Sequence, residues 1–376
     1  MRLFNQISNN AFGLDISNLT LKLCETEAKG KIQRLQAISR IDIPKGIIEG
    51  GVILKQEEFV KALKKLINEP LYGKVLSRNV VASLPEEKTF IKLIELGRNP
   101  NSLKEIIASE VEKNIPMPIT EMYLDWQVIT DSAEKKLILV AACPKIVVDK
   151  YVETLTMAGL SVQALEIESI ATCRALLLEE ATKTTESKEC YIIADIGGQS
   201  TNIIAYAQGV ILFSVSVPIA SDKVTERVAE ALKIDLEQAE KAKIVCGLNP
   251  DKAEGIVKHI LEAITDQLLR KINEIIRFQA HHYPSFGKVS KIILTGGGAN
   301  TEHLDEFISK ATNLPVELGS VFTNLSNDDA QWIEILKTTK KLLKFPEFVS
   351  DSKNNGSSNY TTAIGLALRD KMIQNN

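Results

Sequence analysis

Twice in this chain a hydrophobic run ends in an aspartate, passes through a short turn of small and polar residues, and resumes as a second hydrophobic run. The first instance is Asp15-Ile16-Ser17-Asn18, inside "AFGLDISNLTLKLCETE". The second is Asp195-Ile196-Gly197-Gly198, inside "YIIADIGGQSTNIIAYAQGVILFSVSVPIAS". Each reads as strand, turn, strand. One heads each half of the 376 residues, on either side of the polar run "ATKTTESKE". A repeat on this scale constrains the fold strongly: it predicts two lobes built on the same core.

The turns also carry chemistry. A Gly/Ser/Thr turn at a strand end points several backbone N–H groups one way and makes a nest for an anion. An acidic side chain there repels phosphate unless a cation intervenes. Facing aspartates therefore imply Mg²⁺, held through water between carboxylate and phosphate oxygens. The expected metal residues are Asp15 and Asp195. The expected phosphate donors are the amides of Ser17, Asn18 and Leu19 and of Gly197, Gly198 and Gln199. Taken alone, an Asp-Ile-Gly-Gly turn is more often a plain hairpin, and the three turns together shift that balance. A third glycine turn, Gly296-Gly297-Gly298, follows the strand "VSKIILT" and precedes a helix, so its backbone can lie flat against a nucleoside. G-x-x-x-x-G-K-[ST] and G-x-G-x-x-G are both absent, which disfavours a P-loop or a dinucleotide fold.

Between the repeats the pattern alternates strand and helix. "KQEEFVKALKKLINEP" places Phe59, Leu63, Leu66 and Ile67 at helical spacing. From Leu84 to Ala142 the order is strand, helix, strand, strand: a small α+β unit inserted into the first lobe. In the second half come two helices over "SDKVTERVAEALKIDLEQAEKAKIVCG" and one long helix from "VKHIL" to "QAHHY". The expected division is a first lobe at 1–83 and 143–188, an insert at 84–142, and a second lobe at 189–376 containing a helical part at 221–289.

Composition narrows the function. A net charge of −3 gives no broad basic face, so nucleic acid is not an expected partner. Five scattered cysteines without C-x-x-C pairing, and four histidines without metal spacing, fit a reducing cytoplasm. The N-terminal stretch has no signal-peptide core, and no run approaches a membrane span. A membrane role is expected to run through a partner, without direct insertion.

These motifs resemble the actin-like ATPase superfamily, with a first phosphate motif at Gly13 to Lys22, a second at Asp195 to Asn202 and an adenosine motif at Thr295 to Ala299. Within it the chain is similar to the PilM family of type IV pilus assembly proteins, relatives of the FtsA division proteins. "IPKGIIEGGVILKQEEFVKALKKL", "EVEKNIPMPITEMYLDWQVI" and "VDKYVETLTMAGLSVQALEIESIA" carry that likeness. The resemblance implies a two-lobed α/β fold of duplicated ribonuclease-H-like cores with the small insert. It also implies ATP and Mg²⁺ in the interlobe cleft, with Lys22 near the phosphates and Glu240 and Lys243 of "AEKAK" reaching the ribose. Seen alone, Lys22 reads equally as a solvated strand-end lysine, and Glu240–Lys243 as a surface ion pair.

Glu168, at the start of the helix after "VQAL", is the candidate to place a nucleophilic water. Its alternative role is a carboxylate favoured by the helix dipole. The implied partner is a PilN-like inner-membrane protein, whose cytoplasmic N-terminal peptide docks between first lobe and insert; Val111, Ile115 and Met117 are candidate contacts, or else the core of the insert. Self-association is left open. Two alternatives stand beside this reading: an FtsA-like filament protein, and a small-molecule kinase of the same superfamily. The first turn departs from the Asp-Ile-Gly-Ser-Ser-Ser expected of the family, and the polar stretch from Ser320 to Asn359 has no assigned function.

Overall fold

The computed structural model describes residues 11–29, 32–96, 103–115, 117–131, 136–177, 189–219, 221–325 and 357–369. The N-terminal ten residues, most of the polar run before Glu189 and most of the 320–359 stretch lie outside them.

In chain order the first part runs β1 (Phe12–Ile16), β2 (Thr20–Lys29), β3 (Ile32–Asp42), the short hairpin β4 (Ile48–Glu49) and β5 (Val52–Ile53), α1 (Gln56–Asn68), β6 (Tyr72–Gly73) and β7 (Asn79–Leu84). Next come β8 (Phe90–Leu96), α2 (Leu103–Asn114), β9 (Met122–Asp131) and β10 (Lys136–Pro144). The chain continues with α3 (Lys145–Met157), β11 (Ser161–Ile167) and α4 (Glu168–Leu176). The second half comprises β12 (Cys190–Ile196), β13 (Thr201–Ala207), β14 (Val210–Val217), α5 (Ser221–Leu232), α6 (Leu236–Cys246), α7 (Ile256–His282), β15 (Val289–Thr295), α8 (Leu304–Thr312), β16 (Val316–Leu318) and α9 (Thr361–Ala367).

The repeat seen in the sequence is a repeat of topology. In one sheet β1, β2 and β3 form an antiparallel meander, with β7 parallel to β1 and β11 parallel to β7. In the other sheet β12, β13 and β14 make the same meander, with β15 parallel to β12 and β16 parallel to β15. Even the register agrees: Asp15 faces Lys22 across its turn, and Asp195 faces Asn202. Strands buried on both faces read as continuous apolar runs, and Phe12–Ile16 and Thr201–Ala207 are buried throughout. The two-lobed duplicated architecture implied by the sequence is therefore present. On α1 the buried residues are Phe59, Leu63, Leu66 and Ile67, the four that define its period.

Two features were not legible in the pattern. First, β8, β10 and β9 extend the second-lobe sheet, joined to the edge of β14 through one pair, Phe213 with Lys92. Second, α9, which chain order groups with the second half, packs on β1, β2, β7 and α4. Gly13 and Gly365 make that contact possible. A Cβ on Gly13 would lie 2.2 Å from the Ala363 carbonyl oxygen, and one on Gly365 would lie 1.9 Å from that of Ala171. Among the described residues no helix is long and apolar enough to cross a membrane.

Candidate functional site in the interlobe cleft

The carboxyl ends of β1, β7, β12 and β15 open into a cleft of about 650 Å³ between the sheets, a volume suited to a nucleotide-sized ligand. The cleft gathers Asp15, Ser17, Asn18, Leu19, Lys22, Glu168, Asp195, Gly197, Gly198, Gln199, Glu240, Lys243 and Gly296, Gly297 and Gly298 along its walls.

The two turns are closed alike. Ser17 N–H donates to the Thr20 carbonyl at 3.0 Å, and Gly197 N–H to that of Ser200 at 2.9 Å. The sequence assigned both amides to phosphate, but a turn this tight uses its first amide to close. The amides of Asn18, Leu19, Gly198 and Gln199 make no hydrogen bond among the described residues and remain as donors. Side chains strengthen the first turn, where the Thr20 amide donates to Ser17 Oγ at 3.2 Å.

The cleft floor holds an excess of negative charge. Lys22 Nζ pairs with Asp15 at 2.9 Å, with both side chains largely buried, so Lys22 is not a solvated strand-end lysine. Opposite, Asn202 takes the place that Lys22 holds in the first turn. Its Nδ2 donates to Glu168 Oε2 at 2.8 Å, while its buried Oδ1 has no hydrogen-bond partner. Burial pushes the Asp195 carboxyl up to about 6, with the neighbouring Asp15 and Glu86 adding to the rise and Lys22 opposing it. Burial, followed by the charges of Asp15, Glu86 and Asp195, holds Glu168 well above the ordinary carboxylate range.

Glu86 was missed in the sequence. It lies one residue past β7, after Pro85, is 5% exposed, and accepts hydrogen bonds from the Ser169 amide at 3.0 Å and from the Ser214 hydroxyl. It thus ties the start of α4 to a second-lobe strand. The available signal was the one that revealed Asp15 and Asp195: an acidic residue at the mouth of a buried strand, here "NVVASLPE".

At the other end of the cleft, Lys243 is buried and donates to Ser221 Oγ at 2.7 Å, Thr225 Oγ1 at 2.9 Å and Glu240 Oε2 at 2.6 Å. It is a strut between α5 and α6, and the surface-pair alternative does not hold. The Gly296–Gly298 turn folds back on β12: a Cβ on Gly296 would sit 2.3 Å from Asp195 Oδ1, and one on Gly298 2.3 Å from Ile196 Cγ2. Ser358 and Asn359, just before α9, lean on this turn, with Ser358 Oγ donating to the Gly296 carbonyl at 3.2 Å.

The donor set fits Mg²⁺. Its groups are hard oxygens, the floor carboxyl groups Asp15, Glu86, Glu168 and Asp195 outnumber Lys22 beside them, and Asn202 Oδ1 lacks a partner. Among the described residues no three acidic, His or Cys side chains converge to hold a metal by themselves.

A family model for the type IV pilus assembly protein PilM matches residues 13–371. The chain belongs to the PilM family. Of solved structures, the PilM-PilN type IV pilus biogenesis complex superposes with a TM-score of 0.76 at 22% identity, covering 96% of this chain and 98% of that one. The ethanolamine utilization protein EutJ from Carboxydothermus hydrogenoformans gives 0.51 at 14% identity, covering 96% and 92%. In sequence, the cell division protein FtsA of Borreliella burgdorferi is 26% identical over 187 residues, 45% of this chain and 44% of its own length. FtsA of Buchnera aphidicola is 28% identical over 170 residues, 38% and 40% respectively. The chain thus matches under half the length of these division proteins. The fold is the two-lobed actin-like one.

In the inserted unit, Val111 is 1% exposed and packs with Ile107, Met122 and Val140. It is core and lines no groove. Ile115 and Met117 pack against that core and stay partly exposed.

Proposed function

We propose that this PilM-family chain binds ATP with Mg²⁺ in the interlobe cleft. We propose further that it serves at the cytoplasmic face of the inner membrane as an assembly protein, docking the cytoplasmic N-terminal peptide of a PilN-like partner according to nucleotide state. The observation that carries the nucleotide reading is the pair of register-matched turns facing one another over a floor of carboxylates. Such a floor repels phosphate unless a divalent cation screens it. Asp15 and Asp195 hold the waters of that cation. The amides of Asn18, Leu19, Gly198 and Gln199 receive phosphate oxygens, and Lys22 exchanges Asp15 for phosphate. The Gly296–Gly298 backbone faces the adenosine, and Glu240 and Lys243 face the ribose.

Hydrolysis is slow in this reading, and nucleotide acts as a conformational switch. Glu168, the side chain placed to orient a water, is engaged with Asn202. Support for the partner comes from family membership and from the likeness to the solved PilM-PilN complex. The insert supplies a recognition surface at its junction with the first lobe.

Calorimetry on Asp195→Ala tests the site: Mg-dependent ATP binding is expected to disappear, and an unchanged affinity overturns the assignment. Fluorescence anisotropy with a PilN-type N-terminal peptide tests the partner. Absence of binding at tens of micromolar, with and without ATP, shifts the reading toward an FtsA-like role.

A further inference from the structure

The departure of the first turn from the expected pattern has a structural use. Asn18 stands where a small residue was expected. Its side chain reaches out of the turn, and Oδ1 accepts the Gly51 amide at 3.0 Å. Gly51 is the tip of the β4–β5 hairpin, in the left-handed region with φ +72°, and a Cβ there would lie 2.5 Å from the Pro85 ring. Only glycine fits, and the tip is wedged between the turn and the segment leading to Glu86. The Gly51 carbonyl in turn accepts the Tyr151 hydroxyl at 2.9 Å. Tyr151 is fully buried on α3. Two residues earlier on that helix, Asp149 accepts the Tyr123 hydroxyl of β9 at 3.0 Å. At the helix start, Lys145 Nζ donates to the Thr120 carbonyl at 2.7 Å.

We propose that Asn18, Gly51 and Tyr151 form a relay by which phosphate at the first turn moves α3 and so alters the β9 face of the inserted unit. This regulation rests on the nucleotide reading above. Coupling between sites requires an element with two arrangements that both sites bias. The β4–β5 hairpin is that element. It has two residues per strand, two consecutive left-handed glycines, and attachments to the turn at one group and to α3 at another. Asn18 is the switch point, because its own amide is one of the phosphate donors. A phosphate seated there reorients the residue whose side chain grips the hairpin. The response reaches β9 because α3 is tied to it at Asp149, while Lys145 holds Thr120 just before the strand.

The relay makes the β9 surface a readout of the cleft, and hydrogen–deuterium exchange of the full chain measures it. In the unmodified protein, Mg-ATPγS is expected to change exchange over 122–131 by threefold or more. Tyr151→Phe removes one hydroxyl and keeps the ring; ATPγS affinity by calorimetry is expected to stay within threefold while the β9 response is lost. Asp149→Ala breaks the direct link to β9 at an exposed position, where folding is not at risk, and is expected to cut the response at least twofold, the Lys145 bond to Thr120 remaining. A β9 response that persists in both variants overturns the relay, as does ATPγS binding with no response in the unmodified chain. Absence of ATPγS binding is a separate result: it removes the nucleotide reading and the relay with it.

Discussion

Asn202 Nδ2 donates a 2.8 Å hydrogen bond to Glu168 Oε2, joining a second-lobe strand to the first residue of the first-lobe helix α4. The bond crosses the cleft floor, so the separation of the lobes and the placement of Glu168 are one variable. Glu86 makes a second crossing, from the end of β7 to Ser214 on β14. Two of the floor's buried carboxyl groups, Glu168 and Glu86, are thus held by bonds between the lobes.

Glu168→Gln keeps an acceptor for Asn202 and removes the ionisable group. ATP affinity is expected to stay the same or tighten, because less negative charge faces the phosphates. Single-turnover hydrolysis is expected to be slow in both proteins. A rate of many per second that disappears in Glu168→Gln would establish this carboxylate as the group placing the water.

Asp195 makes the ligand-free protein pH-sensitive. Its folded pKa, about 6, lies above the ordinary 3.8. A raised carboxylate binds its proton more tightly in the folded state. The stability it contributes is therefore complete below 3.8 and lost as pH rises through about 6. Asp195→Asn should be the more stable protein at pH 7.5 without ligand, by up to about 3 kcal/mol, with the gap narrowing toward pH 4. Urea melts at the two pH values measure this, and a gap independent of pH would refute it.

Much of the site was readable because its signals are local. An aspartate at a strand end with small or polar residues behind it needs only consecutive residues, and two such turns stand out at Asp15 and Asp195, beside the glycine turn that starts at Gly296. Glu86 carries the same local strand-end signal without a glycine turn behind it, and its role is non-local: Ser169 and Ser214 lie 83 and 128 positions away. Lys243 reads as a surface residue from its i,i+3 partner Glu240, and only the packing of α5 on α6 shows it buried. The amides of Ser17 and Gly197 were misassigned because a motif gives residue types, whereas closing the turn consumes a particular donor. The return of α9 to the first lobe depends on backbone contacts at Gly13 and Gly365 that a single helical pattern does not encode.

Lys22→Met should weaken ATP binding by tenfold or more. It removes a phosphate partner and leaves Asp15 uncompensated beside Asp195, whose carboxyl Lys22 holds down. The residual binding should depend less on salt than in the unmodified chain, since a cation–phosphate attraction has been lost. Calorimetry at two ionic strengths checks both points, and an unchanged affinity would place Lys22 outside the phosphate site.

Gly365→Ala tests whether the final helix is part of the first lobe. The new Cβ would meet the Ala171 carbonyl oxygen at 1.9 Å and its carbon at 2.5 Å. Both contacts are backbone, so no rotamer change relieves them, and α9 must shift off α4. The Gly365 carbonyl also accepts Arg174 Nη1 at 2.9 Å, and Arg174 grips the buried Glu166 with both arms. A shift therefore disturbs that ion pair as well as the apolar seam of Tyr360, Ala363, Ile364 and Leu368. Overpacking of this kind costs about 1–3 kcal/mol and sometimes more. The same shift pulls on Thr361 and Thr362, which contact Thr295 of the second lobe at 2.7 Å and Thr172 of the first at 3.3 Å. Gly365→Ala is thus expected to lower the urea midpoint and to weaken ATP binding together, although residue 365 does not line the cleft. An unchanged midpoint would mean that α9 does not seat on α4.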